Sequence, residues 1–268
     1  MMITYLDSQS VSADYVFWQQ EDEKIRAFLR TTNRGMDFWL REQWDAAEEN
    51  AAEVFNPKYH AEWLVAELYQ HQIGIWPADY FWQLSAAVIK DAVALYEVFL
   101  EMLASHVLGR AGHRLATLNT EDSWRWPECR AFYTHYVGVD VAPPRMEAVL
   151  WIRNKLAHLR DDLRTDEGRK DLKDHIDALN LNTPLTDEET TLGLVEHRPY
   201  MAHGVVLTQL QTWRLLDVIA QHVGVVAVAA FPYLYRGKTN THLEALRMGA
   251  PIPVEDLSFK QARKLFAR

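Results

Sequence analysis

Apolar residues recur every three or four positions along most of the chain, which is the spacing of one buried face on an α-helix. The clearest stretch runs from Pro77 to about Leu108, with proline where the first turn of a helix tolerates it. Its apolar stripe consists of Phe81, Leu84, Val88, Ala92, Leu95, Phe99 and Met102. A second stretch, about 204–222, places Leu207, Leu210, Trp213, Leu216 and Ile219 on one side. The pattern predicts an all-α protein.

Shorter helices are predicted before and between these stretches. Residues 13–72 indicate two or three helices, with breaks at Asn33-Arg34-Gly35 and at Asn56-Pro57. A short helix is expected at about 127–137. Pro143-Pro144 then begins a helix that extends to about Leu163.

The remaining segments carry weaker patterns. Residues 165–180 are highly charged, and residues 181–200 predict a long loop. Residues 223–231 are apolar and β-branched, which predicts buried helix or extended chain. A last short helix is predicted over 255–267.

Composition narrows the class of protein. Apolar residues make up 49% of the chain and 10 residues are Trp, which excludes a disordered chain. The lone cysteine, Cys129, has no internal disulfide partner and builds no thiolate metal cluster. The first ten residues lack the basic and apolar parts of a secretory signal. Polar residues interrupt Gly204–Phe231, so no membrane span is predicted there. We therefore expect a soluble, cytoplasmic protein.

One helix departs from a purely structural pattern. On a helical wheel of residues 145–163, Met146, Val149, Leu150, Leu156 and Ala157 share one arc. Arg153 lies inside that arc, and a buried guanidinium needs acceptors. Asn154 and His158 are one turn apart, with Glu147 and Asp161 on the same side. Residues 143–164 carry a net charge of +2 within a chain of net charge −9.

The string Ile152-Arg153-Asn154-Lys155-Leu156-Ala157-His158 resembles the Arg-Asn-x-x-x-His signature of the HEPN superfamily. Members are helical bundles, and many are ribonucleases of toxin–antitoxin and other defence systems. The order of a long helix, the motif helix and a further core helix also resembles the family. The resemblance implies a HEPN-like core over 76–222 and does not extend beyond it. Residues 1–75 are predicted to form an N-terminal helical extension, and residues 223–268 a C-terminal segment packed on the core.

The resemblance also implies a role for each motif residue. His158 would transfer protons near neutral pH, Arg153 would hold phosphate oxygens, and Asn154 would orient the histidine or the phosphate. One histidine cannot easily serve as both base and acid. HEPN nucleases dimerise so that two motif helices face each other, which predicts a homodimer with a composite cleft. The expected products are a 2′,3′-cyclic phosphate and a 5′-OH end.

Three interpretations stay open. The chain is either a metal-independent endoribonuclease that cuts RNA, with an antitoxin or regulatory protein as a possible partner, or a non-catalytic HEPN-like module that binds a protein or a nucleotide. A helical scaffold outside the family, with Arg153 in an internal ion pair, is the third. No cofactor or metal is expected, because neither a phosphate-binding glycine loop nor ligand spacing of histidines occurs in the sequence.

Overall fold

A computed structural model of the chain describes residues 5–6, 11–54, 61–110, 126–158, 165–194, 207–239, 241 and 244. Within these ranges the regular structure is helical and contains no strand, which confirms the all-α prediction. The helices are α1 Ala13–Val54, α2 Ala61–Ile73, α3 Pro77–Arg110, α4 Trp126–Phe132, α5 Pro144–His158, α6 Asp166–Ala178, α7 Asp187–Thr191 and α8 Gln209–Tyr235.

Contacts group the described chain into two compact units. Unit 1 contains Lys24–Asp91 and Ile152–Leu216, and unit 2 contains the chain up to Glu23, Ala92–Trp151, and the chain from Asp217 onward. Helices α1, α3, α5 and α8 contribute residues to both units. The predicted division at 75/76 and 222/223 stays a prediction; its second boundary falls inside α8.

The long helices have the buried faces that the sequence predicts. In α3, Phe81, Leu84, Val88, Ala92 and Phe99 are buried, whereas Leu95 and Met102 are half-buried. All five residues predicted to face inward in this region are buried. Leu207 lies just before α8, and the other four lie within it: Leu210, Trp213, Leu216 and Ile219. Because α8 continues to Tyr235, residues 223–231 are helix rather than extended chain.

The predicted break at Asn33-Arg34-Gly35 is wrong, because α1 passes through it as one helix of 42 residues. The Asn33 side chain is buried and its Nδ2 donates to the Leu29 carbonyl one turn earlier, at 2.8 Å. Arg34 donates from Nη2 to the Leu192 carbonyl at 2.9 Å. The asparagine that signals a turn in isolation here bonds within the helix.

The other predicted elements are found in part. The short helix near 127–137 is α4 followed by one π-helical turn, Tyr133–Val137. The charged segment contains α6, and the predicted loop over 181–200 contains the short helix α7. The predicted break at Asn56-Pro57, the end of the motif helix at 159–163, and the helix at 255–267 lie outside the described residues.

Each unit has its own aromatic core. In unit 1, a cluster built from α1, α2 and the start of α3 includes Leu40, Tyr69 and Phe81, with Trp44 edge-on to Tyr69 at 5.3 Å. In unit 2, Trp18 is 1% exposed, and its ring lies 6.4 Å from that of Phe99. Burial of side chains of this size is the main stabilising contribution.

Two described segments, Asp79–Gly109 and Gln209–Tyr235, are long and apolar enough to cross a membrane by length and composition alone. In the most apolar window of each, 50% and 56% of the residues are buried inside the chain. A core helix of a globular protein has the same length and composition.

The continuity of α1 gives a test by substitution at Gly35. Glycine in a helix interior is less favourable than alanine, and a Cβ at Gly35 meets no atom within 4 Å. Gly35→Ala should therefore raise the free energy of unfolding by roughly 0.5–1 kcal/mol, measured by urea denaturation.

Gly138 is the matched control for that substitution. It ends the π-helical turn with φ 78°, where a side chain is strained, although a Cβ there also meets no atom within 4 Å. Gly138→Ala should lower the free energy of unfolding by about 1–2 kcal/mol. A loss of stability on Gly35→Ala, measured at protein concentrations at which the chain is monomeric, would contradict a continuous α1.

Candidate functional site

The motif helix α5 begins as the proline pair requires. Pro144 is its first residue, and the amide of Glu147 closes the first turn on the Pro143 carbonyl at 2.9 Å. Its buried face is made by Met146, Val149, Ile152 and Leu156, all at most 7% exposed. These side chains fix the rotation of the helix, and so decide where the polar motif residues can lie.

The structure brings Arg153 and Asn154 together. Arg153 is half-buried and Asn154 is exposed. Nη1 of Arg153 donates to Oδ1 of Asn154 at 3.0 Å, so the amide holds the guanidinium beside the helix. Arg153 thus borders the apolar face without being fully enclosed by it. Asn154, beside it, is in contact with solvent.

His158 is the last residue of α5, four positions after Asn154. Four residues of helix make one full turn plus about 40° of rotation, with a rise of roughly 6 Å. The helix therefore carries the histidine on the same side as the amide. The side chain of His158 lies outside the part of the chain that the structure describes.

Glu147, predicted on the same side as Asn154 and His158, pairs with another residue. Its Oε1 accepts from Nη1 of Arg130 at 3.2 Å, and Nε of Arg130 lies 3.4 Å from Oδ1 of Asp140. This exposed group joins α4 to the start of α5. Asp161, the other predicted acidic neighbour, is outside the described residues.

A more deeply buried guanidinium belongs to Arg214 on α8, which is 9% exposed. Its Nε and Nη2 donate to the two carboxylate oxygens of Glu189 at 2.8 and 2.7 Å. Nη1 and Nη2 also donate to the carbonyls of Leu181, Thr183 and Pro184, at 2.6 to 2.9 Å. One side chain thus holds the connection between α6 and α7 against α8.

Glu189 serves two purposes in unit 1. Hydrogen bonds from Arg214 lower the pKa of its carboxyl to about 2, although burial acts in the opposite direction. The same side chain accepts from the Thr186 amide at 2.8 Å, while the Thr186 hydroxyl accepts from the Glu189 amide, a capping box at the start of α7. The Thr-x-x-Glu spacing was visible in the sequence, but its arginine partner 25 residues away was not.

A histidine–aspartate pair lies in unit 2, and the sequence did not predict it. Nδ1 of His106 lies 2.7 Å from Oδ2 of Asp14; the carboxylate is 2% exposed and the imidazole 60% exposed. A buried carboxylate that orients an exposed imidazole is the arrangement of many general bases. The two residues are 92 positions apart, so no local pattern in the sequence pointed to the pair.

Unit 1 also has an open hollow between the α6–α7 connection and the start of α8. Its described lining is uncharged: Leu181, Asn182, Thr183, Pro184, Thr208, Leu210 and Gln211. Nε2 of Gln211 donates to Oδ1 of Asn182 at 2.6 Å across it. Neither Arg153 nor Asn154 is among the described residues that line this hollow.

The sequence predicts neither a metal site nor a reactive cysteine. Across the described ranges, no group of three or more His, Cys, Asp or Glu side chains is placed to hold a metal ion. Cys129 is buried at 4% exposure, as expected of a core residue.

No model of a known protein family matches the chain, and no curated protein or solved structure matches it either. The likeness to the HEPN superfamily therefore depends on the residues of α5 and on the helical class of the fold.

Removing one partner of the Arg214–Glu189 ion pair should strongly destabilise unit 1, because the other charge stays buried. Arg214→Met keeps most of the side-chain volume but leaves a buried carboxylate and three carbonyls without their donor. We expect a loss of about 3–5 kcal/mol in the free energy of unfolding, measured by urea denaturation. Arg145→Met, at an exposed position of α5, is the matched control and should change it by less than about 0.5 kcal/mol.

The same pair predicts a pH dependence. The pKa of Glu189 is lowered in the folded chain, from 4.5 to about 2, so its stabilisation is complete above about pH 4.5 and is lost as the pH falls toward 2. Glu189→Gln should flatten the fall in stability across this interval, measured by thermal unfolding at each pH. An unchanged pH profile would contradict a charged, paired Glu189.

Proposed function

We propose that the chain is a metal-independent endoribonuclease of the HEPN type that works as a homodimer in the cytoplasm, as a toxin or a component of a defence system. The observation that carries the proposal is the hydrogen-bonded pair of Arg153 and Asn154 on a well-packed helix, with His158 one turn further on. An imidazole supplies the proton transfer, and a guanidinium with its amide supplies the charge stabilisation, that cleavage of RNA without a metal needs.

In the proposed reaction, a base takes the proton of a ribose 2′-OH, and the 2′-oxygen attacks the neighbouring phosphorus. The bond to the 5′-oxygen breaks, an acid gives that oxygen a proton, and a 2′,3′-cyclic phosphate and a 5′-OH remain. His158 serves in proton transfer, and Arg153 holds the non-bridging oxygens as their charge grows. Asn154 accepts from Arg153 through Oδ1, which leaves its Nδ2 to donate to the phosphate or the histidine.

The proposal needs a second copy of α5 because a single imidazole cannot easily act as base and acid in one turnover. Two motif helices that face each other supply two histidines and two guanidinium groups. The lone buried cysteine supports a reducing, cytoplasmic location.

Binding without cleavage is the second candidate function. It is favoured by the position of Arg153, because a half-buried guanidinium steadied by a neighbouring amide binds a phosphate whether or not a base acts. In that case the chain is a HEPN-like module for a nucleotide or protein partner, and His158 is dispensable.

The test compares variants on labelled RNA of mixed sequence in the presence of EDTA. Wild-type chain should cleave, and His158→Ala should reduce the rate roughly 10²- to 10⁴-fold because proton transfer is lost. Arg153→Ala should also reduce the rate. His71→Ala, at an exposed position of α2, is the matched control and should retain the wild-type rate.

Circular dichroism checks that each variant keeps its helices. Equal cleavage by wild type and His158→Ala would remove His158 from the catalytic site, and no cleavage by either would remove the enzymatic proposal. Binding of RNA that depends on Arg153, without cleavage, would support the second candidate. Loss of activity in His106→Ala alone would move the catalytic site to the His106–Asp14 pair.

A further inference from the structure

The outward side of α1 in unit 1 carries large aromatic side chains in solvent. Phe28 is 54% exposed, Phe38 is 66% exposed and Trp39 is 40% exposed. They lie within three turns of each other on one helix. Aromatic residues clustered on a surface are typical of a contact with another protein.

The exposed residues of this side follow the seam of a coiled coil. Lys24, Phe28, Thr31, Gly35, Phe38 and Glu42 are all exposed and follow one another at steps of four, three, four, three and four residues. This alternation has the spacing of the a and d positions of a heptad, which keeps a single narrow stripe facing a partner helix, and Phe28 and Phe38 are its apolar members. We call these six residues the α1 seam.

The α1 seam is complementary to itself when two copies run in opposite directions. In that register Lys24 lies opposite Glu42 of the second copy, Phe28 opposite Phe38, and Thr31 opposite Gly35. The residue numbers in each of these pairs add up to the same value, so one two-fold axis produces all of them. Each pair then occurs twice in the dimer, as an isologous interface requires.

A parallel arrangement lacks this complementarity. It would place Lys24 beside Lys24 and Glu42 beside Glu42, and like charges at close range are destabilising. The antiparallel register instead gives an opposite-charge pair at each end, with aromatic layers inside them.

The centre of the α1 seam is shaped for a close approach. A Cβ on Gly35 would meet no atom within 4 Å, so the surface above this residue is open. Small residues at the middle of a seam let two helices approach closely, and the flanking phenylalanines then cover the gap. Trp39 borders the seam and adds apolar area beside it.

We infer that α1 is a self-association surface: a second copy of this chain binds along the α1 seam, antiparallel, with Lys24–Glu42, Phe28–Phe38 and Thr31–Gly35 layers. This contact is separate from the ribonuclease proposal. It depends only on α1, and it exists whether or not the chain cuts RNA.

The experiment uses charge reversal in the full chain, followed by sedimentation velocity over a wide range of concentrations. Wild type should self-associate through the α1 seam, to a dimer if this contact forms alone and to a larger assembly if the α5 contact of the proposed ribonuclease forms as well. Lys24→Glu and Glu42→Lys should each weaken self-association by roughly tenfold or more, because both ends of the contact become repulsive. An equimolar mixture of the two variants should form a heterodimer of near wild-type affinity, since both ends then regain opposite charges.

The double variant K24E/E42K should also recover the dimer. The matched control reverses charge off the seam, with Glu67→Lys on α2 and Lys90→Glu on α3, both exposed positions. These variants should self-associate as wild type does. Phe38→Ser, which removes one phenylalanine from each of the two aromatic layers, should weaken the dimer, and mixing it with either charge variant should not restore it.

A monomeric wild-type chain would overturn the inference. So would a wild-type dimer that tolerates Lys24→Glu, Glu42→Lys and Phe38→Ser, because its contact must then lie elsewhere. Failure of the two charge variants to complement each other would exclude the antiparallel register. His158→Ala should leave the dimer intact, so loss of RNA cleavage and loss of this contact are read separately.

Discussion

The structure depends on one constraint: each long helix must bury a continuous apolar face along its length. Helices α1, α3 and α8 have 42, 34 and 27 residues, and in a folded protein most of the stability of a helix comes from packing such a face. Their buried stripes supply the cores of the two units. Every polar residue on these helices must then lie off the stripe or find a partner inside it.

Residues that depart from this pattern carry the most information about function. They are arginines on or beside an apolar face and aromatic side chains in solvent. Arg214 enters the core and is paired there by Glu189 and three carbonyls, which makes it structural. Arg153 reaches only the border of the core, where its guanidinium donates to the exposed Asn154. Phe28 and Phe38 stay outside, at a spacing that suits a second α1.

The sequence predicted the helix spans and buried faces that depend on the local spacing of apolar residues. The span of α3 and the inward residues of α8 followed from apolar spacing, and the start of α5 followed from its proline pair. The break at Asn33 was wrong because turn propensity was overruled by a hydrogen bond inside the helix. Assignment to the HEPN superfamily stays a prediction.

Tertiary pairs could not be predicted in the same way. Arg214 and Glu189 are 25 positions apart, and His106 and Asp14 are 92 apart, so nothing local links their side chains. The sequence placed Arg153 within the apolar arc, but its half-buried state depends on how far α5 extends into the core. A helical wheel gives the direction of a side chain and not the depth of its surroundings.

The most direct test of the proposed ribonuclease is the chemistry of the ends it leaves. RNA incubated with the full chain in EDTA should yield fragments that mass spectrometry identifies as 2′,3′-cyclic phosphates with 5′-OH partners, because the 2′-oxygen is the nucleophile. Fragments with 3′-OH and 5′-phosphate ends would require attack by water, and would contradict the role given to Arg153, Asn154 and His158.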